Sequence, residues 1–574
     1  MSNIFNEYFC SVATQIGIDD KISETENLKS IIASYETHPS ILSIKENAVH
    51  NDVFRLSLTT HTEVLKLLKR VNPKKATGYD NIPPKLLKIA ATEFAYPIYN
   101  LINISINASH FPAQLKKAEV SALYKAKDSL DKSNYRPISI LPSISKIYER
   151  IFYDQLYCFF NNIFTNMLAA YRPKYGCQHV ITKLIEDWKT ALDNKKNIGA
   201  ILMDLSKAFD CIPHRLLICK LQAYGVLPET CELIKSYLQD RMQRVKMGPN
   251  RSEWKFLSKG VPQGSILGPL LFNIFVHDIF YCLGDTSLYN FADDNTLSKC
   301  HEDLSCVITS LEDSSSVTVD WFHQNGLQTN PVKFQSFVIK RMEENGQIIF
   351  KVSGVDIPPC DQVKLLGLKI DKKLNFESHI AGICTKASWH ISAIARIAKY
   401  LELPCKIKLY NAFVRSNFQY CNIVWHFCNE KDQVKMEKVN KRALQVVTND
   451  YVSTYKELLL RANVSCLFIE RVKCIALETF KSLKGLNPTF LHDTFTVNTT
   501  PYDLRECNKL SLPKVNTKKY GINSFKFQGA KIWNGLPEEL KNSNDINDFK
   551  SRLCMWSGPI CVCNCCILCK IMSL

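Results

Sequence analysis

The stretch Tyr289-Asn290-Phe291-Ala292-Asp293-Asp294-Asn295-Thr296-Leu297 decides how this chain is read. Apolar residues lead into two adjacent aspartates, and a short polar-apolar run leads away. That pattern predicts two strands joined by a tight turn, with both carboxylates at its tip. Carboxylates held about 4 Å apart repel by roughly 4 kcal/mol at an effective dielectric near 20. A fold that fixes them side by side calls for a cation or a proton to offset that cost. The ordinary reading of an isolated Asp-Asp is a solvated turn, because Asp is a common turn residue. The residues upstream decide between the two.

Gly199 to Leu205 is a continuous apolar run, Ala200-Ile201-Leu202-Met203, broken by Asp204. It reads as a buried strand ending in a carboxylate, a rigid support for aiming an acid into a site. Ser206 to Asp210 then enter a turn, with Pro213 near the start of a helix. The segment Gly260-Val261-Pro262-Gln263-Gly264-Ser265-Ile266-Leu267-Gly268-Pro269 is a loop whose glycines let backbone approach a substrate closely, and an apolar helix follows from Leu270 to Phe280. Farther upstream, Val120, Ala122 and Tyr124 alternate as a strand does. Around them stand Lys116, Lys117, Lys125, Lys127, Lys132 and Arg136, with Tyr124 and Tyr135 interleaved. Basic residues with aromatics between them on a strand pair suit phosphate contacts; a charged surface hairpin is the plainer alternative.

After the Asp pair, Leu304, Ile308 and Leu311 mark a helix ending near Trp321. Lys333 follows, then a strand from Ser336 to Ile339. Lys364 to Asp371 reads as one strand with Gly367 in its middle, a bulge or a close approach. Nearer the N-terminus, Val64, Leu67, Leu68 and Val71 share a helical face, and Pro84 opens a helix expected to bury Leu87, Phe94, Ile98, Leu101 and Ile102. From Ile380 the chain is helical through Tyr410, Phe413, Tyr420 and Trp425. Lys435, Lys438, Lys441 and Arg442 ride on an otherwise apolar helix, as a nucleic-acid face or a solvated one.

With 574 residues, 46% hydrophobic and 10% aromatic, the chain has a globular composition and room for several domains. Lys+Arg 72 against Asp+Glu 55 gives a net charge of +17, which points to a polyanionic partner. Residues 1–60 are acidic, with four Lys/Arg and eight Asp/Glu, so the basic excess belongs to the main body. They read as a lead-in, with Phe5-Asn6-Glu7-Tyr8-Phe9 a short amphipathic fragment of open role. No apolar run long enough for a membrane span and no secretory signal are evident, so no membrane partner is expected. The 23 cysteines are mostly scattered singly and read as reduced thiols of an intracellular protein, nuclear or cytoplasmic and not secreted. In the tail, Cys566 and Cys569 form a C-x-x-C pair without a second pair at the usual distance, a partial match to a zinc site.

Taken together, a strand-borne Asp204, a hairpin-borne Asp pair, a Pro-Gln-Gly loop between them and a basic strand pair upstream are the parts of a two-metal nucleotidyl-transfer site. Three carboxylates hold two divalent ions, and basic residues neutralise a triphosphate.

At this point the chain resembles the reverse transcriptases of non-LTR (LINE-type), jockey-like retrotransposons. The matching motifs are Gly78-Tyr79-Asp80-Asn81-Ile82, Asn134-Tyr135-Arg136-Pro137-Ile138-Ser139, Asp204-Leu205-Ser206-Lys207-Ala208-Phe209-Asp210, Gly260-Val261-Pro262-Gln263-Gly264-Ser265, Phe291-Ala292-Asp293-Asp294 and Leu365-Leu366-Gly367. They fall in family order across about residues 70–372, and Gly529-Ala530-Lys531-Ile532-Trp533-Asn534-Gly535-Leu536-Pro537 resembles the same group. The resemblance implies an α+β right-hand polymerase: an acidic lead-in over 1–60, fingers and palm with an antiparallel sheet over 61–372, a helical thumb over 373–450, and a mostly helical C-terminal region with a Cys-rich tail over 451–574. It implies an RNA-directed DNA polymerase using two Mg²⁺ ions, or Mn²⁺, with an RNA template, a DNA primer or target, and dNTPs as partners. By motif match, Asp204, Asp293 and Asp294 are the catalytic, metal-holding carboxylates. Lys125 and Arg136 contact the triphosphate, Phe209 lies under the sugar, Gln263 and Gly264 line the nucleotide and template pocket, and Lys333 is the proton donor to pyrophosphate. The strand at Leu366-Gly367 grips the primer.

Complete elements of this type carry an N-terminal endonuclease. Its acid/His constellation is not found in the 60 residues before the fingers, nor is an RNase H pattern apparent, so a chain that polymerises without cutting its own target is expected. The alternative is a catalytically inactive nucleic-acid-binding remnant. An RNA-templated RNA polymerase is a weaker third reading, opposed by Phe209.

Overall fold

The computed structural model describes residues 1–15, 27–48, 52–125, 128–205, 207–341, 348–498, 509–559 and 570–571. The protein is α+β, with helices and thirteen short strands among the described residues. Lys127, Ser206, Cys566 and Cys569 lie outside the described residues. Among the described residues no helix is long and apolar enough to cross a membrane.

The chain divides into two compact units. The first comprises 1–171, 203–288 and 313–333; the second comprises 172–202, 289–312 and 334–574.

In the first unit, β1 (Lys117–Tyr124) pairs antiparallel with β2 (Tyr135–Ile140) and parallel with β4 (Arg241–Met247). The short strands β5 (Asn250–Arg251) and β6 (Lys255–Leu257) pair with β4. One face of this sheet is covered by α1 (Ser2–Gln15). Phe5 and Phe9 bury themselves against Val120 and Val245, and the Phe5 ring meets Tyr135 edge-on at 4.9 Å between centroids. The fragment Phe5–Phe9 is therefore a docked helix whose two apolar positions, four apart, stand on one face. Glu119 is buried in the same sheet. Burial pushes its carboxyl up, but Arg251 and Arg244, at 2.8 and 2.6 Å, outweigh that and hold it below the usual range.

Pro84 opens a helix, as expected, but the chain forms two, Pro84–Ile89 and Ala91–Asn107, joined at Ala90. The second buries Ala91, Ala95, Ile98, Ile102 and Ser105. Leu101 stands a step of about 100° from that stripe and is 52% exposed, against expectation.

The second unit holds a four-stranded sheet in the order β7 (Ser287–Phe291), β8 (Asp294–His301), β3 (Asn197–Asp204), β9 (Gln335–Ile339). The unit boundary passes after Leu202 in β3 and after Leu288 in β7. As the sequence predicts, β3 is buried along most of its length and ends in an exposed Asp204. Strands β10 (Phe350–Val352) and β11 (Val355–Ile357) form one hairpin, and β12 (Gln362–Leu365) and β13 (Leu368–Asp371) form another.

That last hairpin corrects the reading of Lys364–Asp371 as a single strand. Leu366 and Gly367 have φ of +46° and +86°, so both central residues are left-handed and the chain reverses there. Two positive φ values make the type I′ turn that matches strand twist, and glycine makes the second one cheap.

The helices of the second unit include Glu377–Ile397, Glu430–Thr448, Leu467–Leu483 and Phe525–Asn534. The last is tied to the helix Cys177–Asp193 by two carboxylates. Glu186 accepts the backbone N–H groups of Phe525 and Lys526, at 2.7 and 3.0 Å, and so caps that helix. Asp193 accepts from Asn516 and Thr517 at 2.9 and 2.7 Å.

Candidate active site

The aspartate turn is a two-residue hairpin, as the sequence predicts. Phe291 ends β7, Ala292 and Asp293 make the turn, and Asp294 opens β8. Ala292 has φ +58°, a left-handed position that costs a non-glycine residue about 1–2 kcal/mol. Two asparagines hold it there. Asn290 Nδ2 donates to the Ala292 carbonyl at 2.9 Å and to Asn295 Oδ1 at 2.8 Å. Asn295 Nδ2 donates to the Asp293 carbonyl at 3.2 Å. Both asparagines are buried, whereas Asp293 is half-buried and Asp294 exposed. The clamp thus fixes the backbone from below and leaves the carboxylates toward solvent. Sequence reading passed over Asn290 and Asn295, although a pair of asparagines flanking an acidic turn is a visible signal.

Nearby in the same unit, the Cys177 thiol is pushed up by burial. A hydrogen bond with Tyr420 works against that, and the charge of Asp294 adds to it. Tyr420 in turn donates its hydroxyl to the carbonyl of Leu366, bracing the β12–β13 turn expected to grip a primer. Its ring lies 3.5 Å from where a Cβ on Gly367 would stand.

In the first unit, the Gly260–Gly268 loop is latched to the residues after Asp204. Leu205 bridges Thr329, and Lys207, with φ +52°, turns the chain into the short helix Ala208–Cys211. Val261 N donates to the Phe209 carbonyl and Gly260 N to that of Ile212, each at 2.9 Å. Gln263 Nε2 donates to Asp210 Oδ1 at 2.8 Å. Burial is the main reason the Asp210 carboxyl rises to about 6. Phe209 is half-buried and stacks on Phe272, with centroids 4.3 Å apart and planes 15° from parallel. One ring face is therefore packed and its height is fixed.

Gly264 is where this loop meets the sheet. Ser139 N donates to the Gln263 carbonyl at 2.7 Å, and a Cβ on Gly264 would lie 2.5 Å from the Ser139 carbonyl oxygen. At φ +122° only glycine fits comfortably. Below the loop, buried Glu149 accepts the N–H groups of Ile266 and Leu267, at 2.5 and 3.4 Å, and caps the helix Gly268–Val276. Burial nonetheless leaves its carboxyl raised.

Arg136 is exposed on β2, opposite Leu123. Lys125 N donates to the Asn134 carbonyl at 2.8 Å, one step beyond the β1–β2 register. Lys125 and Arg136 are therefore diagonal neighbours on one sheet face, the face opposite the one that carries Val120, Ala122 and Tyr135 against α1. Lys333 is exposed in the short 3₁₀ turn Pro331–Lys333.

The carboxylates of Asp204, in the first unit, and of Asp293 and Asp294, in the second, are each hard oxygen donors, the chemistry suited to Mg²⁺ or Mn²⁺. Among the described residues, no three or more His, Cys, Asp or Glu side chains are already gathered around a metal position. The donor chemistry fits the ions without a preformed cage.

Residues 115–370 match the family model described as reverse transcriptase (RNA-dependent DNA polymerase). Among curated relatives, the chain is 27% identical over 402 residues to the probable RNA-directed DNA polymerase from transposon X-element of Drosophila melanogaster, covering 67% of this chain and 43% of the relative. It is 27% identical over 415 residues to the probable RNA-directed DNA polymerase from transposon BS of the same organism, covering 67% and 44%. To the RNA-directed DNA polymerase from mobile element jockey, also of Drosophila melanogaster, it is 25% identical over 412 residues, covering 68% and 44%. The chain thus spans less than half the length of these relatives. Through residues 115–370, the chain is thus similar to the reverse transcriptase family.

Proposed function

We propose that the chain is an RNA-directed DNA polymerase that extends a DNA primer on an RNA template, in the mobility of a non-LTR element. The observation that carries this reading is the Asp293-Asp294 turn. Its backbone is braced by Asn290 and Asn295, and it lies within the segment matching the reverse transcriptase family. In this reading the chain is a right hand, with fingers and palm over 61–372, thumb over 373–450, and flanking regions over 1–60 and 451–574.

Asp204, Asp293 and Asp294 would hold two Mg²⁺ ions, which when bound lower the pKa of the primer 3′-hydroxyl and steady the charge on the leaving pyrophosphate. Arg136 and Lys125, on one sheet face, neutralise the triphosphate of the incoming dNTP. Phe209, fixed on Phe272, sits under the sugar and rejects a 2′-hydroxyl. Gln263 and Gly264 line the nucleotide and template pocket, with Gln263 oriented by Asp210. The 3′-hydroxyl gives its proton to water, its oxygen bonds to the α-phosphorus as the bond to pyrophosphate breaks, and Lys333 gives the departing oxygen a proton.

The test is extension of a DNA primer on an RNA template with dNTPs and Mg²⁺. Wild type should incorporate and Asp293→Ala should not. Equal extension by the two would end this reading, and salt-dependent binding without incorporation would identify an inactive nucleic-acid binder. Phe209→Val should admit ribonucleotides.

A further inference from the structure

The helix α1 does more than cover a sheet. Asn6 is fully buried on it, donating to the Glu253 carbonyl at 2.8 Å and accepting from Gln243 Nε2 at 3.2 Å. With Phe5 and Phe9 also buried, the helix is fixed in both rotation and height. That fixes Tyr8, which is half-buried at the edge of a cavity of about 370 Å³ lined also by Glu7, Lys132 and Lys255. The Nζ of Lys207 donates to the Tyr8 hydroxyl at 2.7 Å and lies 4.1 Å from the centre of its ring. Lys132, from the loop between β1 and β2, places a second ammonium 5.2 Å from the same ring.

Lys207 is not an ordinary surface lysine. Its backbone is left-handed, at φ +52°, and it stands at the turn into Ala208–Cys211, which carries Phe209 and Asp210. A non-glycine residue keeps that conformation only where its surroundings over-determine it. The Tyr8 contact supplies such a constraint from about 200 residues away. The approach is also one-sided. The helix α1 packs on the sheet face of Val120, Ala122 and Tyr135, whereas Arg136 and Lys125 lie on the opposite face. Tyr8 is thus a support and not a lid over the arginine.

We propose that Tyr8 is a positioning residue for the incoming nucleoside triphosphate: it holds the Lys207 turn, and through it Phe209, at the height that receives the triphosphate and the sugar. This rests on the polymerase reading above.

The test is steady-state and single-turnover incorporation by wild type, Tyr8→Phe, Lys207→Met and the double variant. Tyr8→Phe keeps the ring and loses only the hydroxyl. It should raise the KM for dNTP about five- to tenfold with kcat within about twofold, the pattern of lost binding energy. It should also lower the preference for dNTP over rNTP. Lys207→Met should behave alike, and the double variant should be no worse than either single change, because one contact is removed in each. Unchanged KM and sugar preference in Tyr8→Phe, or effects that multiply in the double variant, overturn the proposal. A Tyr8→Phe chain with lowered Tm and a parallel loss of kcat at unchanged KM assigns Tyr8 to folding alone and also overturns it. Failure of the wild type itself to incorporate is the separate result that ends the polymerase reading.

Discussion

Two hairpin turns in the second unit differ in how they are braced. The β7–β8 turn has one left-handed residue, Ala292, and is held by Asn290 and Asn295, both within the hairpin. The β12–β13 turn has two, Leu366 and Gly367, and receives its side-chain brace from Tyr420, 54 residues away from Leu366. A locally clamped turn keeps its shape whatever the surrounding helices do. A remotely braced turn moves when the segment carrying Tyr420 moves. Under the proposed function, the first arrangement suits carboxylates whose placement must hold to a fraction of an ångström, and the second a grip that follows a moving strand.

The largest test of that contrast is Asn290→Leu, which keeps the branched shape and removes both hydrogen bonds. Misplacing a reacting group by about 1 Å costs roughly 100-fold in rate, so incorporation should fall by about that factor in single-turnover kinetics. A rate unchanged in this variant would break the contrast. Next comes a third braced turn, in the first unit, where Gln263 is bound to Asp210. The Asp210 carboxyl is raised by burial from 3.8 to about 6, so the folded state holds its proton longer than the unfolded chain does. Its contribution to stability is therefore greatest below about pH 4, declines as the pH rises through about 6, and is gone above, roughly 1–3 kcal/mol in all. Asp210→Asn should flatten that decline in denaturation midpoints measured between pH 4 and pH 7. If the slope stays, another group is responsible.

The two turns should then respond with opposite sign to a change of Cβ. Ala292→Gly should stabilise by up to about 1 kcal/mol by removing left-handed strain, and Gly367→Ala should destabilise by about 1–2 kcal/mol, both read from urea unfolding. Shifts of the same sign would show that φ is not the deciding quantity. The smallest effect belongs to Tyr420→Phe. Losing the hydroxyl's bonds to Leu366 and Cys177 should raise the KM for primer–template about threefold with kcat unaltered. A drop in kcat instead would tie Tyr420 to chemistry and not to grip.

The same contrast explains what the sequence could disclose. The buried strand ending at Asp204, the Asp293-Asp294 turn and the alternating β1 were legible because each follows from residues adjacent in the chain. The β12–β13 reversal was misread because Leu366-Gly367 lacks the Asn-Gly signature of a type I′ turn, and Leu at a positive φ has no sequence signal. Gln263 was legible as part of a glycine-rich loop, but its pairing with Asp210 was not, since a contact across 53 residues depends on the fold. Phe5-Asn6-Glu7-Tyr8-Phe9 had amphipathic character without a visible partner, because that partner is a sheet whose strand β4 begins at Arg241.

That distance along the chain also sets an order of events during synthesis. Translation at about 5–20 residues per second leaves α1 waiting about 12–50 s before β4 is made. Throughout that interval Phe5 and Phe9 have no Val245 to pack against. The helix α1 is thus made well before the sheet it packs on, and for about 12–50 s it is a natural client for whatever chaperone shields exposed aromatic residues.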